Sequence, residues 1–277
     1  MIVNADATQI YRDLPILSAA PSDEDRAKAK HRLFGVQDGA LPCSAAHWAE
    51  LARGEISDIQ VGGGTPILVG GTGLYLRTLL EGIAPVPAID PEIRQRVREA
   101  GVEDNRAKLE TLDPVAAARL KPADSARTAR ALEVLLSTGH TLAEWQSEKS
   151  GGISEQVDLR PLILLPPRDW LYVRCDERFA KMVDEGAVAE VETLLARGLN
   201  PNLPVMRAIG VAELSTYLRG DMSLDEAIAA GQQATRRYAK RQYTWFAHQP
   251  PAEWPRLKEA LDLERLPEAL ASLQPSG

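Results

Sequence analysis

The chain has 277 residues, a formal net charge of −7 and a hydrophobic content of 44%, which suit one large globular domain or a core with a smaller insertion. This negative net charge argues against a protein that binds nucleic acid over its whole surface, but it is compatible with a local basic groove. No apolar run approaches the roughly 18 residues of a membrane span, and no signal pattern opens the chain. Two distant cysteines, and four histidines without metal-ligand spacing, argue against a disulfide framework or a zinc site, so we expect a cytoplasmic protein.

The first predicted strand is the apolar run Ile2–Val3, which leads into a polar turn with Asp6 at its tip. The wholly apolar run Pro66–Val69 predicts a parallel strand buried on both faces. The other elements predicted in the first part of the chain are a surface loop or short helix over 21–30, a helix over 44–53 with Ser44 as its N-cap and Trp48 and Leu51 on its apolar side, and a helix over 74–81 closed by Gly82.

The rest of the chain is predicted to be mainly helical. Its elements are a helical stretch over 92–149 interrupted at Pro114 and Pro122, a buried strand over 162–165, an amphipathic helix over 176–197 ended by Gly198, a helix over 232–246, and a proline-containing, then weakly helical tail from residue 250. Because strands alternate with helices, the sequence predicts an α/β fold built on a parallel sheet.

Two strand ends carry residues suited to chemistry. Asp6 lies where ligands gather beyond the carboxyl end of a strand, so it is a candidate general base, although an Asp in such a turn also caps backbone N–H groups. The loop Gly70–Gly73 follows the second strand and opens a helix. Its backbone N–H groups and the Thr72 hydroxyl are hydrogen-bond donors that could bind an anion at the start of the helix. The alternative is a tight turn in which Thr72 only caps the helix.

Basic residues on two predicted helices suit phosphate contacts. Arg127 and Arg130 are three residues apart on one helical face, where they could clamp a phosphate or remain a solvated face. The helix over 232–246 has no acidic residue, and its pattern predicts two sides, one with Arg236, Arg237, Lys240 and Thr244 and the other with Ala234, Tyr238 and Trp245. Such a basic face over an aromatic stripe favours contact with an RNA backbone over an ordinary amphipathic helix.

Several separate segments together resemble the tRNA dimethylallyltransferase (tRNA isopentenyltransferase) family over nearly the whole chain. They are NADATQIYRDL (4–14), HRLF (31–34), PILVGGTGLY (66–75), LDPVAAARL (112–120), RALEV (130–134), AIGVAEL (208–214) and TRRYAKRQYTWF (235–246). The resemblance implies a parallel sheet like that of P-loop NTPases, flanked by helices. It also implies an α/β core over 1–98 and 158–277 and a mostly helical insertion over 99–157.

The activity that the resemblance implies is transfer of a dimethylallyl group from dimethylallyl diphosphate to N6 of the adenosine just 3′ of the anticodon. Asp6 matches the family's catalytic base, and Thr72 and Arg207 match catalytic positions that also hold the diphosphate. Mg²⁺ is expected with the diphosphate. The chain is expected to act as a monomer, and the target base is expected to leave its stack to reach the site.

The tRNA-binding residues implied by the resemblance and by the basic helix lie in four stretches of the chain. They are Asp6, Ala7, Thr8, Gln9, Arg94, Ala126, Arg127, Thr128, Ala129, Arg130, Arg236, Arg237, Lys240 and Arg241.

One family feature is missing from these residues. The family opens with a strand and a nucleotide-binding, ATP-binding type of phosphate loop, G-x-x-x-x-G-K-[ST], and residues 1–277 contain no such sequence. The expected consequences are weak binding of the prenyl donor, and lower stability through loss of a strand that would pair beside the first one. The alternative is a catalytically impaired, RNA-binding remnant of the family. A free-nucleotide isopentenyltransferase or a kinase-like relative is disfavoured, because a small acceptor needs no basic RRYAKRQ face.

Overall fold

The structure is a computed structural model that describes residues 1–260, 266–271 and 273. The chain forms two compact units, one of Met1–Leu79 with Gln156–Gly277 and the other of Leu80–Glu155. The predicted insertion over 99–157 falls almost entirely in the second unit, and its boundaries stay a prediction.

The first unit is built on a three-stranded parallel sheet. Its strands are β1 (Ile2–Asn4), β2 (His31–Arg32) and β3 (Ile67–Val69), in the order β2-β1-β3. The parallel sheet and its α/β class are therefore confirmed. The helices in chain order are α1 (Asp23–Lys28), α2 (Ala45–Val61), α3 (Gly73–Glu81), α4 (Pro91–Glu99), α5 (Val102–Leu112), α6 (Pro114–Arg119), α7 (Ser125–Thr138), α8 (Leu142–Ser147), α9 (Arg168–Asp184), α10 (Ala187–Ala196), α11 (Val211–Leu218), α12 (Leu224–His248) and α13 (Leu266–Ala271).

Two expectations about the sheet are wrong. β1 pairs with β2 on one side and β3 on the other, so a further strand could not pair beside β1 and would have to join an outer edge. β3 is not buried on both faces, because Ile67 and Val69 are 52% and 51% exposed. These two side chains point to the same face of the strand, and that face is open to solvent in the described part of the chain.

A buried tryptophan fastens α2 and α3 to the end of β1. Ser44 caps α2 as predicted, its hydroxyl accepting from the His47 N–H at 3.1 Å. Trp48 is fully buried, and its indole N–H donates to the Asn4 carbonyl at 2.9 Å. Its ring stacks on Tyr75 with centroids 4.6 Å apart. The carboxyl end of β1 is therefore held from two helices.

The predicted helix over 176–197 is instead two helices, α9 and α10. The break falls at Gly186, whose φ of 110° lies in the left-handed region that a side chain disfavours. α12 runs well beyond the predicted 232–246 and packs on α9, where an added Cβ on Gly231 would lie 2.0 Å from the Phe179 ring. The strand predicted over 162–165 is β4 (Ile163–Leu164), but it pairs in a separate parallel sheet with β5 (Arg256–Leu257). β5 is a strand that the sequence did not predict, and it lies in the proline-containing part of the tail.

The second unit is helical, as predicted. Asp113 interrupts it by capping α6, its carboxylate accepting from the Ala116 N–H at 2.9 Å. Val97, Leu109 and Leu132 lie in its buried core. Across both units, none of the helices among the described residues combines the length and apolarity that crossing a membrane requires.

Candidate active site

A buried asparagine shapes the turn after β1. The Asn4 side chain is fully buried; its amide donates to the Asp6 and Leu33 carbonyls, each at 3.0 Å, and its oxygen accepts from the Asp6 N–H at 2.8 Å. Asp6 in turn accepts from the N–H groups of Thr8 at 2.8 Å and Gln9 at 3.4 Å, both through Oδ1. The turn-capping interaction considered for Asp6 is therefore present, and Oδ2 forms no hydrogen bond or ion pair with any of the described residues.

The glycine loop between β3 and α3 lies against this turn. The Thr72 N–H donates to the Ala5 carbonyl at 3.2 Å, and the Thr72 hydroxyl accepts from the Ala7 N–H at 2.9 Å. A Cβ on Gly70 would lie 2.2 Å from the Ala5 carbonyl carbon, so only glycine permits this approach. Asp6 and Thr72, which the sequence suggests from two distant segments, thus meet at the carboxyl ends of adjacent strands.

Helix α12 completes the cluster with two residues that the sequence reasoning did not assign to the site. The Gln242 amide donates to the Gly71 carbonyl at 3.1 Å, and the Tyr238 hydroxyl lies near the Thr72 and Gln242 side chains. Burial, and then the nearby Asp6 charge, raise the pKa of Tyr238. Tyr238 and Gln242 are four residues apart, a spacing that places them on one helical face and was the available signal.

The predicted basic face of α12 divides into two parts. Arg236 forms an ion pair with Asp176 of α9. Arg237 and Lys240 are exposed and form no ion pair with any acidic side chain in the described ranges, and the Arg241 guanidinium lies 5.4 Å from the centre of the Tyr238 ring. The side of α12 that is buried carries Ala227, Gly231, Thr235 and Ala239, whereas Ala234, Tyr238 and Trp245 are half-buried beside it.

Arg207 ends a short 3₁₀ helix, Val205–Arg207, and its side chain is exposed. Just beyond it, Gly210 has a φ of 94°, and a Cβ there would lie 2.6 Å from Leu17. The segment therefore packs against the loop that follows Asp6. Within the described residues Arg207 forms no hydrogen bond with Asp6 or Thr72, so the structure does not join it to the cluster directly.

The remaining candidate residues have varied surroundings. Gln9 donates through its amide to the Ser18 and Ala19 carbonyls at 3.0 and 2.8 Å, an internal use of that side chain. Ala7 and Thr8 take part through their backbone N–H groups. The amide of Gln9 thus braces the loop.

In the second unit, α7 carries five candidates of unequal exposure. Arg127 is exposed and pairs with Asp124 at 3.1 Å, whereas Thr128 and Ala129 are buried. Ala126 is exposed, and Arg130 is half-buried. Only part of this stretch therefore presents its side chains to a ligand.

Arg94 contributes to an ion-pair group on buried Glu133. The Arg94 guanidinium lies 4.0 Å from one carboxylate oxygen, and that of Arg98 lies 2.5 Å from the other. Glu133 is only 1% exposed, while the two arginines reach it from the surface. Arg94 thus already has an acidic neighbour.

Comparison with known proteins places this site in a family. A family model described as IPP transferase matches residues 9–249. The chain belongs to this family. The result confirms the resemblance drawn from the separate sequence segments.

The chain is similar to proteins named tRNA dimethylallyltransferase. It is 60% identical to one from Erythrobacter litoralis over 258 residues, which cover 93% of this chain and 81% of the relative. It is 60% identical to another from Novosphingobium aromaticivorans over 258 residues, 93% of this chain and 92% of that one. The chain therefore spans most of the length of these family members.

Solved structures of the family share the fold. The tRNA isopentenylpyrophosphate transferase of Bacillus halodurans matches with a TM-score of 0.67 and 30% identity, over 98% of this chain and 84% of that one. A eukaryotic dimethylallyltransferase acting on tRNA matches with a TM-score of 0.73 and 25% identity, over 88% of this chain and 62% of that one.

Proposed function

We propose that this chain transfers a dimethylallyl group from dimethylallyl diphosphate to N6 of the adenosine 3′-adjacent to the anticodon in tRNA. The observation that carries the proposal is the meeting of Asp6 and Thr72 at the ends of two adjacent parallel strands, in a chain 60% identical to a tRNA dimethylallyltransferase. Ligands of α/β proteins collect at this edge of the sheet.

The exocyclic amine is a poor nucleophile, because its lone pair is delocalised into the purine. A base that accepts the amine proton as the N–C bond forms is therefore needed, and Asp6 is the carboxylate available in the cluster. The N–H groups of Thr8 and Gln9 hold Oδ1, and Oδ2, which has no hydrogen-bond partner among the described residues, would accept the proton. As the C–O bond of the donor breaks, the diphosphate carries away the electron pair, and the Thr72 hydroxyl and Arg207 would stabilise its charge.

Magnesium, in this proposal, comes with the diphosphate. No group of three or more His, Cys, Asp or Glu residues suited to a metal occurs among the described residues, and Asp6 is the one carboxylate in the cluster. Mg²⁺ is commonly held by substrate phosphates, water and one or two carboxylates, which fits a cluster that offers a single carboxylate.

The proposed tRNA contacts come from exposed basic side chains. Arg237, Lys240 and Arg241 on α12 are the most available, whereas Arg94, Arg127 and Arg236 already have acidic neighbours. Phosphate contacts of this kind supply affinity that does not depend on sequence. Because the proposed substrate is tRNA, the proposal includes a cytoplasmic location for the protein. It also includes a monomer, since one chain contains all the residues that the proposed chemistry uses.

The proposed function is tested by incubating the chain with dimethylallyl diphosphate, Mg²⁺ and an unmodified tRNA that has adenosine at the target position. Mass spectrometry of the digested tRNA should show N6-dimethylallyladenosine there. A matched tRNA with guanosine at that position should stay unmodified. Salt-sensitive tRNA binding without transfer would contradict the proposal and favour the catalytically impaired RNA-binding alternative.

A further inference from the structure

We propose that Glu190 on α10 and Arg197 at the C-cap of that helix are positioning residues. They hold the loop 12–20 as a spacer that sets where Arg207 stands relative to Asp6. The inference rests on the proposed function, because these are the groups that would stabilise the diphosphate and accept the amine proton. Within the described residues, neither positioning side chain forms a hydrogen bond or an ion pair with Asp6 or Arg207, so both would act through the loop.

Glu190 holds the middle of the loop through both of its carboxylate oxygens. Oε1 accepts from the Ile16 N–H at 2.6 Å, and Oε2 accepts from the Leu17 N–H at 2.9 Å. The side chain is half-buried, and burial raises the pKa of Glu190 although these two N–H groups favour its charged form. Hydrogen bonds to a charged acceptor are short and strong, so they fix the backbone of the loop at this point.

Arg197 holds the loop at a second point, two helical turns further along. Its guanidinium forms ion pairs with Asp13 of the loop and with Asp38, the latter at 2.7 Å. The second carboxylate oxygen of Asp13 accepts from the Gly39 N–H at 2.8 Å. Because the Asp13 side chain is only 7% exposed, these partners replace the water that its charge would otherwise need. The loop, the segment around Gly39 and the end of α10 are therefore joined.

The segment that carries Arg207 packs against this joined region on both sides of the arginine. A Cβ on Gly210 would lie 2.6 Å from the Leu17 side chain, so the chain three residues after Arg207 lies against the loop. A Cβ on Gly39 would lie 3.0 Å from the side chain of Val205, two residues before Arg207. Val205 is 1% exposed and opens the 3₁₀ helix that Arg207 ends. The position of the loop therefore sets the position of Arg207.

The same loop is also connected to Asp6. The Gln9 side-chain amide donates to the Ser18 and Ala19 carbonyls at 3.0 and 2.8 Å, and the Gln9 N–H donates to Asp6 Oδ1 at 3.4 Å. A base and a diphosphate-binding group must meet the same reacting pair of substrates. A misplacement of about 1 Å can cost about 10²-fold in rate, so the spacing that the loop maintains bears directly on the proposed reaction.

The test is a double-mutant cycle of Glu190→Gln and Arg207→Ala. Glutamine keeps the size of the side chain but replaces one accepting oxygen by an N–H donor, so one of the two hydrogen bonds to the loop is lost. Pyrophosphate binding is measured by calorimetry, prenyl transfer by single turnovers, and tRNA affinity by titration.

Arg207→Ala should weaken pyrophosphate binding by about 10- to 100-fold, the effect of losing a hydrogen bond between charged groups. Glu190→Gln should weaken it by roughly fivefold and slow prenyl transfer, with tRNA affinity unchanged. In the Arg207→Ala background, Glu190→Gln should have no further effect on pyrophosphate binding, because the group that it positions is gone.

A second variant and a matched control separate positioning from general destabilisation. Arg197→Gln removes the other attachment of the loop at a partly exposed side chain, and it should reproduce the effects of Glu190→Gln even if that variant fails to fold. Glu192→Gln makes the same substitution at an exposed acid of α10 and should change none of the three measurements. Melting temperatures should show which variants are folded at the assay temperature.

The outcomes separate the two proposals. A wild-type chain that binds pyrophosphate but transfers no prenyl group contradicts the proposed function, and the binding cycle still decides the role of Glu190. Losses of pyrophosphate binding from Glu190→Gln and Arg207→Ala that simply add would overturn the inference, because independent sites behave in that way. So would folded Glu190→Gln or Arg197→Gln chains that bind pyrophosphate like the wild type, or a wild-type chain that binds no pyrophosphate.

Discussion

The contacts of Asp6 make Asp6→Asn a clean substitution. An asparagine keeps an oxygen that can accept from the Thr8 and Gln9 N–H groups, so the turn should survive while the base is lost. We expect turnover to fall by about 10²- to 10⁴-fold, the usual contribution of a general base, with tRNA affinity little changed. Single-turnover prenyl transfer and tRNA titration measure the two quantities. Asp221→Asn, at an exposed carboxylate paired with Arg219, is the matched control; near-parental turnover of Asp6→Asn would remove Asp6 from the role.

Gly70 offers a structural test of the same cluster. A Cβ at this position would lie 2.2 Å from backbone atoms of Ala5, which cannot swing away as a side chain could. We expect Gly70→Ala to lower the free energy of unfolding by about 1–3 kcal/mol, as overpacking typically does, and to separate Thr72 from Asp6. Urea denaturation is the measurement. Gly54→Ala, at an exposed position of helix α2 where nothing lies within 4 Å, should instead raise stability by about 0.5–1 kcal/mol. Equal effects of both variants would refute this account of the loop.

At single residues, the sequence indicates which groups follow strands but not what they touch. Asp6 and Thr72 are predictable because strand ends are recognisable from short apolar runs. The role of Asn4 is not, because its amide bonds the Leu33 carbonyl, 29 residues away. Tyr238 is seen in the sequence only as part of an aromatic stripe. Its place near Thr72 depends on how α12 packs against the glycine loop, which no local pattern encodes.

The long helix α12 has two kinds of arginine, and they should respond differently to substitution. Arg237→Ala with Lys240→Ala removes two exposed cations, so the slope of log affinity for tRNA against log salt should fall by roughly one unit per lost phosphate contact. Arg236→Ala breaks the pair with Asp176 and should lower stability by roughly 0.5 kcal/mol, with little change of slope.

Binding titrations across a salt series and denaturation curves measure these effects. A charge-matched control is Arg26→Ala with Lys28→Ala, on exposed α1, which should leave the salt slope unchanged. A slope that stays constant after loss of Arg237 and Lys240 would mean that this face of α12 is only solvated surface.

The limits of prediction for whole elements have identifiable causes. Helix α2 is found because its capping residue Ser44 and its helical periodicity agree, whereas only the strongly patterned part of α12 is predicted and its start after Ser223 is missed. The break between α9 and α10 is missed, because the apolar pattern continues through Gly186 and only its left-handed φ reveals the turn. The sequence predicts a buried β3 because short apolar runs are usually buried. The exposure of its side chains depends instead on which other elements cover the sheet, and the run itself does not show that.

Over the whole molecule, each of the two compact units carries its own candidate phosphate contacts. Arg127 and Arg130 lie in the second unit, and Arg237 and Lys240 lie in the first. If both units contact the same tRNA, each pair should contribute to the number of counterions released on binding. Each phosphate contact releases counterions, and the slope of log affinity against log salt is proportional to the number released. The effects of the two pairs on this slope should therefore add.

We expect alanine substitution of either pair to lower the slope by about two units, and of all four residues by about four. The measurement is tRNA affinity at several salt concentrations for the two double variants and the quadruple variant. Melting temperatures should stay near the parental value, because within the described residues the only acidic partner of these four side chains is Asp124, and its exposed pair with Arg127 contributes little to stability. Binding in which one pair carries the entire salt dependence would contradict the expectation, because the other unit would then make no phosphate contact. The quadruple variant also separates affinity from chemistry: at saturating tRNA it should retain turnover, since Asp6 and Thr72 are untouched.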